Sequence, residues 1–124
     1  MTNNTAAVDA LAGFISQHGN MAFSGAVDWL CAQQGLDPHG EESLCLASDT
    51  NIILDSGLND HAIAMAKAIL DDERLTLRPL TSFEVLIVYG FDGSRMVGLP
   101  LAQRPPKDGY RKPHWLPALV DLHR

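Results

Sequence analysis

The chain has 124 residues, a formal net charge of −6 at pH 7 and a hydrophobic content of 46%. This length and composition predict one globular domain with a single core and exclude a disordered chain. The acidic balance argues against a general nucleic-acid binder, and no apolar stretch is long enough for a membrane-spanning helix.

The cellular compartment is inferred from the N-terminus and the cysteines. Residues 1–5 lack the basic and apolar regions of a secretory signal. Cys31 and Cys45 lack the spacing of a metal site and are typical of buried thiols in a reducing compartment. We therefore expect a cytoplasmic protein.

The charges are divided unevenly along the chain. Residues 1–66 contain eight acidic side chains and no Lys or Arg, whereas residues 95–124 contain six basic side chains and two acidic ones. This division favours docking of one half on the other, within a chain or between chains, or a basic end that binds an anionic partner.

Three segments have apolar residues at helical spacing and capping residues at their ends. The first helix is predicted at residues 5–18 and ends at Gly19, and the second at residues 24–34 and ends at Gly35. The third is predicted at residues 59–72, where Asn59 is the expected N-cap.

The remaining apolar runs predict strands. Residues 44–47 and 52–54 read as a short hairpin, and residues 75–78 read as a single strand. Residues 83–101 are predicted to form the main hairpin, because Asp92-Gly93 suits a type I′ turn. That turn would place Val88 opposite Val97, so the hairpin would carry the core.

The C-terminal segment, residues 103–124, contains four prolines and is expected to be extended rather than helical. We expect it to form a basic and aromatic strap, packed on a domain of residues 1–102 or on a partner subunit. The predicted fold class is therefore α+β, with three helices and a small antiparallel sheet.

The order of the third helix, a strand and a hairpin resembles the recognition helix and wing of winged helix-turn-helix domains. The resemblance implies a third helix in the DNA major groove and Gly93 in the wing. Asp60, Asp71 and Asp72 on or beside that helix would repel phosphates. An acidic winged-helix-like domain fits a protein-interaction or dimerisation role better.

Residues 52–57, Ile-Ile-Leu-Asp-Ser-Gly, resemble the active-site signature of retroviral-type aspartic proteases. The resemblance implies that Asp55 would share a proton with a second aspartate and activate water. The alternative interpretation, which we prefer, is a strand end whose Asp-Ser-Gly turns the chain into the third helix. An aspartic hydrolase centred on Asp55 is the second alternative function.

No metal, cofactor or catalytic centre is predicted. The five histidines are scattered, and zinc sites use closely spaced pairs of ligands. Cys31, His39 and Cys45 could meet only if the loop between them folded back. Both cysteines lie in the half without basic residues, so neither thiol is expected to be activated.

Cationic and aromatic side chains alternate in the C-terminal strap. Such a pattern can stack on single-stranded nucleic acid, can pack on its own domain, or can bind an acidic partner. We predict a non-enzymatic binding module that self-associates or binds a protein, using the strap and the exposed part of the main hairpin. The predicted binding residues are Tyr110, Arg111, Lys112, His114, Trp115 and Arg95. The first alternative is a nucleic-acid-binding regulator that uses Lys67, Arg95, Arg111 and Lys112.

Overall fold

The computed structural model describes residues 3–103 and 106–123. These residues form a mixed α+β fold with four helices and two three-stranded sheets, which confirms the predicted fold class. In chain order the elements are α1 (Asn3–His18), β1 (Met21–Ala22), α2 (Phe23–Gln33), β2 (His39–Cys45), β3 (Ile52–Leu58), α3 (Asp60–Asp71), β4 (Leu75–Pro79), α4 (Ser82–Asp92), β5 (His114–Trp115) and β6 (Ala118–Leu122).

The three predicted helices are confirmed as α1, α2 and α3. The Asn59 side chain caps α3 by accepting a hydrogen bond from the Ala62 backbone N–H at 2.9 Å. The three helices share one buried core, which includes Leu11, Leu30 and Met65. Within the described residues, none of the helices is both long and apolar enough to cross a lipid bilayer.

The strands form two separate sheets rather than one. The first sheet has the order β1-β6-β4 and is antiparallel throughout. In the second sheet, β2 and β3 form the predicted short hairpin, and β5 pairs with β3 in parallel. The predicted single strand at residues 75–78 is β4, an edge of the first sheet.

The first sheet separates two hydrophobic clusters. Val120 in the central strand β6 belongs to the core shared with α1, α2 and α3. Its neighbour Leu119 belongs to a second cluster that also contains Val85 and Tyr89 of α4. Successive side chains of a strand point to opposite faces, so α4 lies on the face of the sheet opposite the other three helices.

The predicted main hairpin is wrong, because its first strand is the helix α4. The Thr81 hydroxyl accepts a hydrogen bond from the Glu84 backbone N–H, and the Glu84 carboxylate accepts one from the Thr81 backbone N–H. This capping box satisfies two orphan donors of a helix N-terminus. Leu80 and Val85 lie in the same buried cluster, at the positions of a hydrophobic staple.

The turn predicted at Asp92-Gly93 is the C-terminal end of α4. Gly93 has a left-handed φ of 67°, which suits the residue that ends a helix. Val88 and Val97 are therefore not strand partners, and residues 93–100 carry no regular element. The expected wing around Gly93 is not formed, because this glycine closes a helix instead of linking two strands.

Candidate interaction surface

Helix α4 has an exposed apolar face. A helix turns about 100° per residue, so positions 83, 86, 87, 90 and 91 lie on one side within about 140° of arc. Four of them carry large apolar side chains, and we call this set the α4 face. The exposed fractions are 71% for Phe83, 70% for Leu86, 54% for Ile87 and 90% for Phe91.

The opposite side of α4 is fixed to the first sheet. Tyr89 is 1% exposed, its hydroxyl donates a hydrogen bond to the Ala118 carbonyl oxygen at 3.1 Å, and it accepts one from the Ala118 N–H at 3.3 Å. Its ring meets Trp115 edge-on, with centroids 5.1 Å apart. Burial raises the pKa of Tyr89 to about 12, so the hydroxyl stays protonated as a donor.

The α4 face is large for an exposed apolar surface. At their observed exposures the two phenylalanine rings alone present roughly 300 Å², since an aromatic side chain covers about 150–250 Å². With Leu86 and Ile87 the total is on the order of 500 Å², within the range of about 300–600 Å² for the largest patch of a typical monomer. Patches of this size are often functional.

The α4 face carries no charge. Helix α4 contains no Lys or Arg. Glu84, in its first turn, is engaged with Thr81 and lies 3.2 Å from Arg78. The Thr81 backbone N–H and the Arg78 guanidinium lower the pKa of Glu84. The carboxylate therefore stays ionised and bound to these two groups beside the α4 face.

Arg95, one of the predicted binding residues, lies in an ion triad. Its Nη1 donates to Asp28 Oδ1 at 2.8 Å, and its Nε and Nη2 donate to Asp55 Oδ1 and Oδ2 at 3.1 and 2.5 Å. The Ser24 hydroxyl donates to the Arg95 carbonyl oxygen at 3.2 Å. The triad therefore attaches the loop that follows α4 to α2 and β3.

Asp55 is 1% exposed, and both of its carboxylate oxygens already accept hydrogen bonds. Burial raises the pKa of Asp55, and the Arg95 guanidinium opposes that rise. The oxygens of Asp55 bind the Arg95 guanidinium and the Ser56 N–H. Within the described residues they do not bind a second carboxylate, as an aspartic protease site would require, so Asp55 holds the loop after α4 in place.

Residues 106–113 of the C-terminal strap form a loop before β5. The Asp49 carboxylate accepts hydrogen bonds from the backbone N–H groups of Tyr110 and Asn51 at 3.0 and 2.9 Å, and these bonds lower its pKa. The Tyr110 ring stacks on His114 with centroids 3.8 Å apart. Two predicted binding residues are therefore adjacent in the structure.

The other predicted strap residues are placed differently. Arg111 and Lys112 are exposed and form no ion pair within the described part of the chain. Trp115 is 2% exposed, and its Nε1 donates to the Leu54 carbonyl oxygen at 3.3 Å. The indole belongs to the core beneath α4, so a role for Trp115 as a surface anchor for a partner is not supported.

The remaining candidate residues form no second site. The neighbouring Asp60 raises the pKa of Glu42, and Lys67, which is exposed on α3, partly opposes that rise. Cys31 is buried, and burial raises its pKa. In residues 3–103 and 106–123, no three His, Cys, Asp or Glu side chains are grouped as a metal ion would require.

Comparison with protein-family models, with curated proteins and with solved structures finds no match for this chain. The α4 face is the feature that sequence reasoning missed, although Thr81 and Glu84 were a readable helix-start signal.

Proposed function

We propose that this protein is a non-enzymatic binding module that recognises a protein through the α4 face. The observation that carries the proposal is that four large apolar side chains of one well-anchored helix are at least half exposed. A helix that is apolar on all sides is usually buried on all sides. The sheet covers one side of α4, and a protein partner would cover the other.

A protein fits the α4 face better than a membrane surface or a nucleic acid. Helices that lie on membranes carry Lys and Arg on their polar side, and nucleic acids are held by the same residues. Helix α4 has neither. Large exposed apolar side chains at i, i+3, i+4 and i+8 form one helix face, which is instead suited to helix-in-groove or helix–helix recognition.

The Arg95 triad supports a structural rather than catalytic use of Asp55. The three side chains hold the loop after α4 against the body of the domain. The C-terminal end of α4 is thereby fixed before any partner binds. A preorganised surface loses less conformational entropy on binding than a mobile one.

Photocrosslinking in cells tests this proposal. A benzophenone amino acid replaces Phe91 in the full chain, and in a matched variant it replaces Leu36, which is also an exposed apolar residue but lies outside α4. We expect covalent protein adducts from position 91 and few from position 36. Equal yields from the two positions, or none from position 91, would refute the use of the α4 face.

A second candidate function is the binding of single-stranded nucleic acid by the strap. The Tyr110–His114 stack favours it, because aromatic rings beside the exposed Arg111 and Lys112 can hold bases and phosphates. Replacing Arg111 and Lys112 by Ala would abolish oligonucleotide binding in a gel-shift assay if this function exists. The same change would leave the adducts at position 91 intact.

A further inference from the structure

We infer that the partner of α4 is a second copy of this chain, bound as an antiparallel α4 pair in which Phe83 of each protomer packs over Gly90 of the other. The inference rests on the proposed function and names its partner. Three observations carry it: the unexplained Gly90, the spacing of Phe83 and Gly90, and the size and neutrality of the α4 face.

No contact in the described part of the chain requires a glycine at position 90. Its φ is not positive, and a Cβ added there would meet no atom within 4 Å. A glycine inside a helix costs about 1 kcal/mol relative to alanine. Gly90 is exposed within the α4 face and leaves a notch next to Leu86 and Ile87, which lie one helical turn before it.

The spacing along α4 makes the face complementary to itself. Phe83 and Gly90 lie equally far from the midpoint between Leu86 and Ile87. A two-fold axis through that midpoint places the large Phe83 ring of each copy at the Gly90 notch of the other. A parallel pair would oppose Phe83 to Phe83 and Gly90 to Gly90, which leaves the notch empty.

The size and charge of the surface also fit a second copy. Two α4 faces of on the order of 500 Å² would together bury about 1,000 Å² before any rim contacts are added, which is about the minimum area of a biological interface. The side chains that meet are uncharged.

Solution mass is the first measurement. Light scattering on the full chain over a range of concentrations should give twice 13.5 kDa at the upper end. Gly90→Leu fills the notch, and because a Cβ at position 90 would meet no atom within 4 Å we expect the variant to fold. We expect it to associate at least tenfold more weakly, whereas Gly98→Leu, at an exposed glycine outside α4 with equal free space, should associate like the parent.

Disulfide trapping tests the antiparallel arrangement. Phe83→Cys and Gly90→Cys are made as separate variants in a Cys45→Ser background, where the remaining Cys31 is buried. A mixture of the two should form a disulfide-linked pair. Each variant alone should not, because identical positions in the antiparallel pair are separated by about 10 Å along the helix axis.

The outcomes separate this inference from the proposed function. A monomer at every concentration, or Gly90→Cys that links to itself as fast as the mixture does, would overturn the antiparallel pair. Adducts at position 91 with a different protein would overturn the second copy as partner and leave the proposed function standing. An absence of adducts at position 91 would remove both.

Discussion

Replacing Arg95 by Met should strongly destabilise the fold, because it leaves Asp55 buried without its cation. Asp55 is 1% exposed, and after the change only the Ser56 N–H would remain as a hydrogen-bond donor. Removing one partner of a buried ion pair costs about 3–5 kcal/mol. That is a large fraction of the roughly 5–15 kcal/mol that stabilises a domain.

The cost of Arg95→Met should depend on pH in a defined direction. Burial raises the pKa of Asp55, and removal of the Arg95 guanidinium removes the main cause that lowers it. The folded variant therefore binds a proton more tightly than the unfolded chain does. Its stability is retained below the ordinary aspartate pKa and is lost as the pH rises through the raised folded pKa. The deficit should be small near pH 4 and larger near pH 7, given an ordinary value of about 3.9.

Urea unfolding followed by circular dichroism at both pH values measures this deficit. Asp28→Asn is the matched control, because Asp28 is 39% exposed and an exposed ion pair contributes about 1 kcal/mol or less. The double variant Asp55→Leu with Arg95→Met should regain most of the loss, since no charge is left buried. A deficit below about 1 kcal/mol, or one that does not change with pH, would refute the anchoring role of the triad.

Two further predictions concern how α4 is held. Tyr89→Phe should lower the free energy of unfolding by about 1–3 kcal/mol, because it leaves the N–H and carbonyl of Ala118 without their partner. The control is Tyr110→Phe, which keeps its backbone hydrogen bonds and should have little effect in the same urea assay. Thr81→Ala should cost about 1 kcal/mol by removing the N-cap. The stabilisation that Glu84 adds to the same cap should be present above the ordinary glutamate pKa and should be lost as the pH falls through its lowered folded pKa. Unfolding of the parent and of Glu84→Gln at a series of pH values would measure this loss. Equal acid sensitivity of the two proteins would contradict the prediction.

The helices α1 to α3 could be predicted from sequence because their signals are local. Apolar residues recur at helical spacing, and Asn59 or a glycine marks an end of each helix. In α4 the positions from 85 to 89 are all apolar, so neither a period of 2 nor one of 3.6 residues stands out. The capping residues Thr81 and Glu84 are the local signal that indicates a helix. The Asp92-Gly93 pair does not decide the matter, because it suits a helix end as well as a turn.

The candidate surfaces were less predictable because they depend on distant contacts. Arg95 and Asp55 are separated by 40 positions, and nothing in the neighbouring sequence of either residue indicates the other. The exposure of the α4 face depends on which face of the first sheet the helix covers. Trp115 looked like a surface anchor in an aromatic and basic segment, but its burial follows from the pairing of β5 with β3.

The position of β6 determines the order in which the fold can form. Strands β1 and β4 are not paired with each other, and β6 lies between them, where Met21 pairs with Val120. During synthesis, roughly 100 further residues are added after β1 before its partner strand exists, and pairings between residues this far apart in sequence are associated with slow folding. Until residues 118–122 have left the ribosome, the first sheet is incomplete and Tyr89 of α4 lacks the Ala118 backbone that holds it.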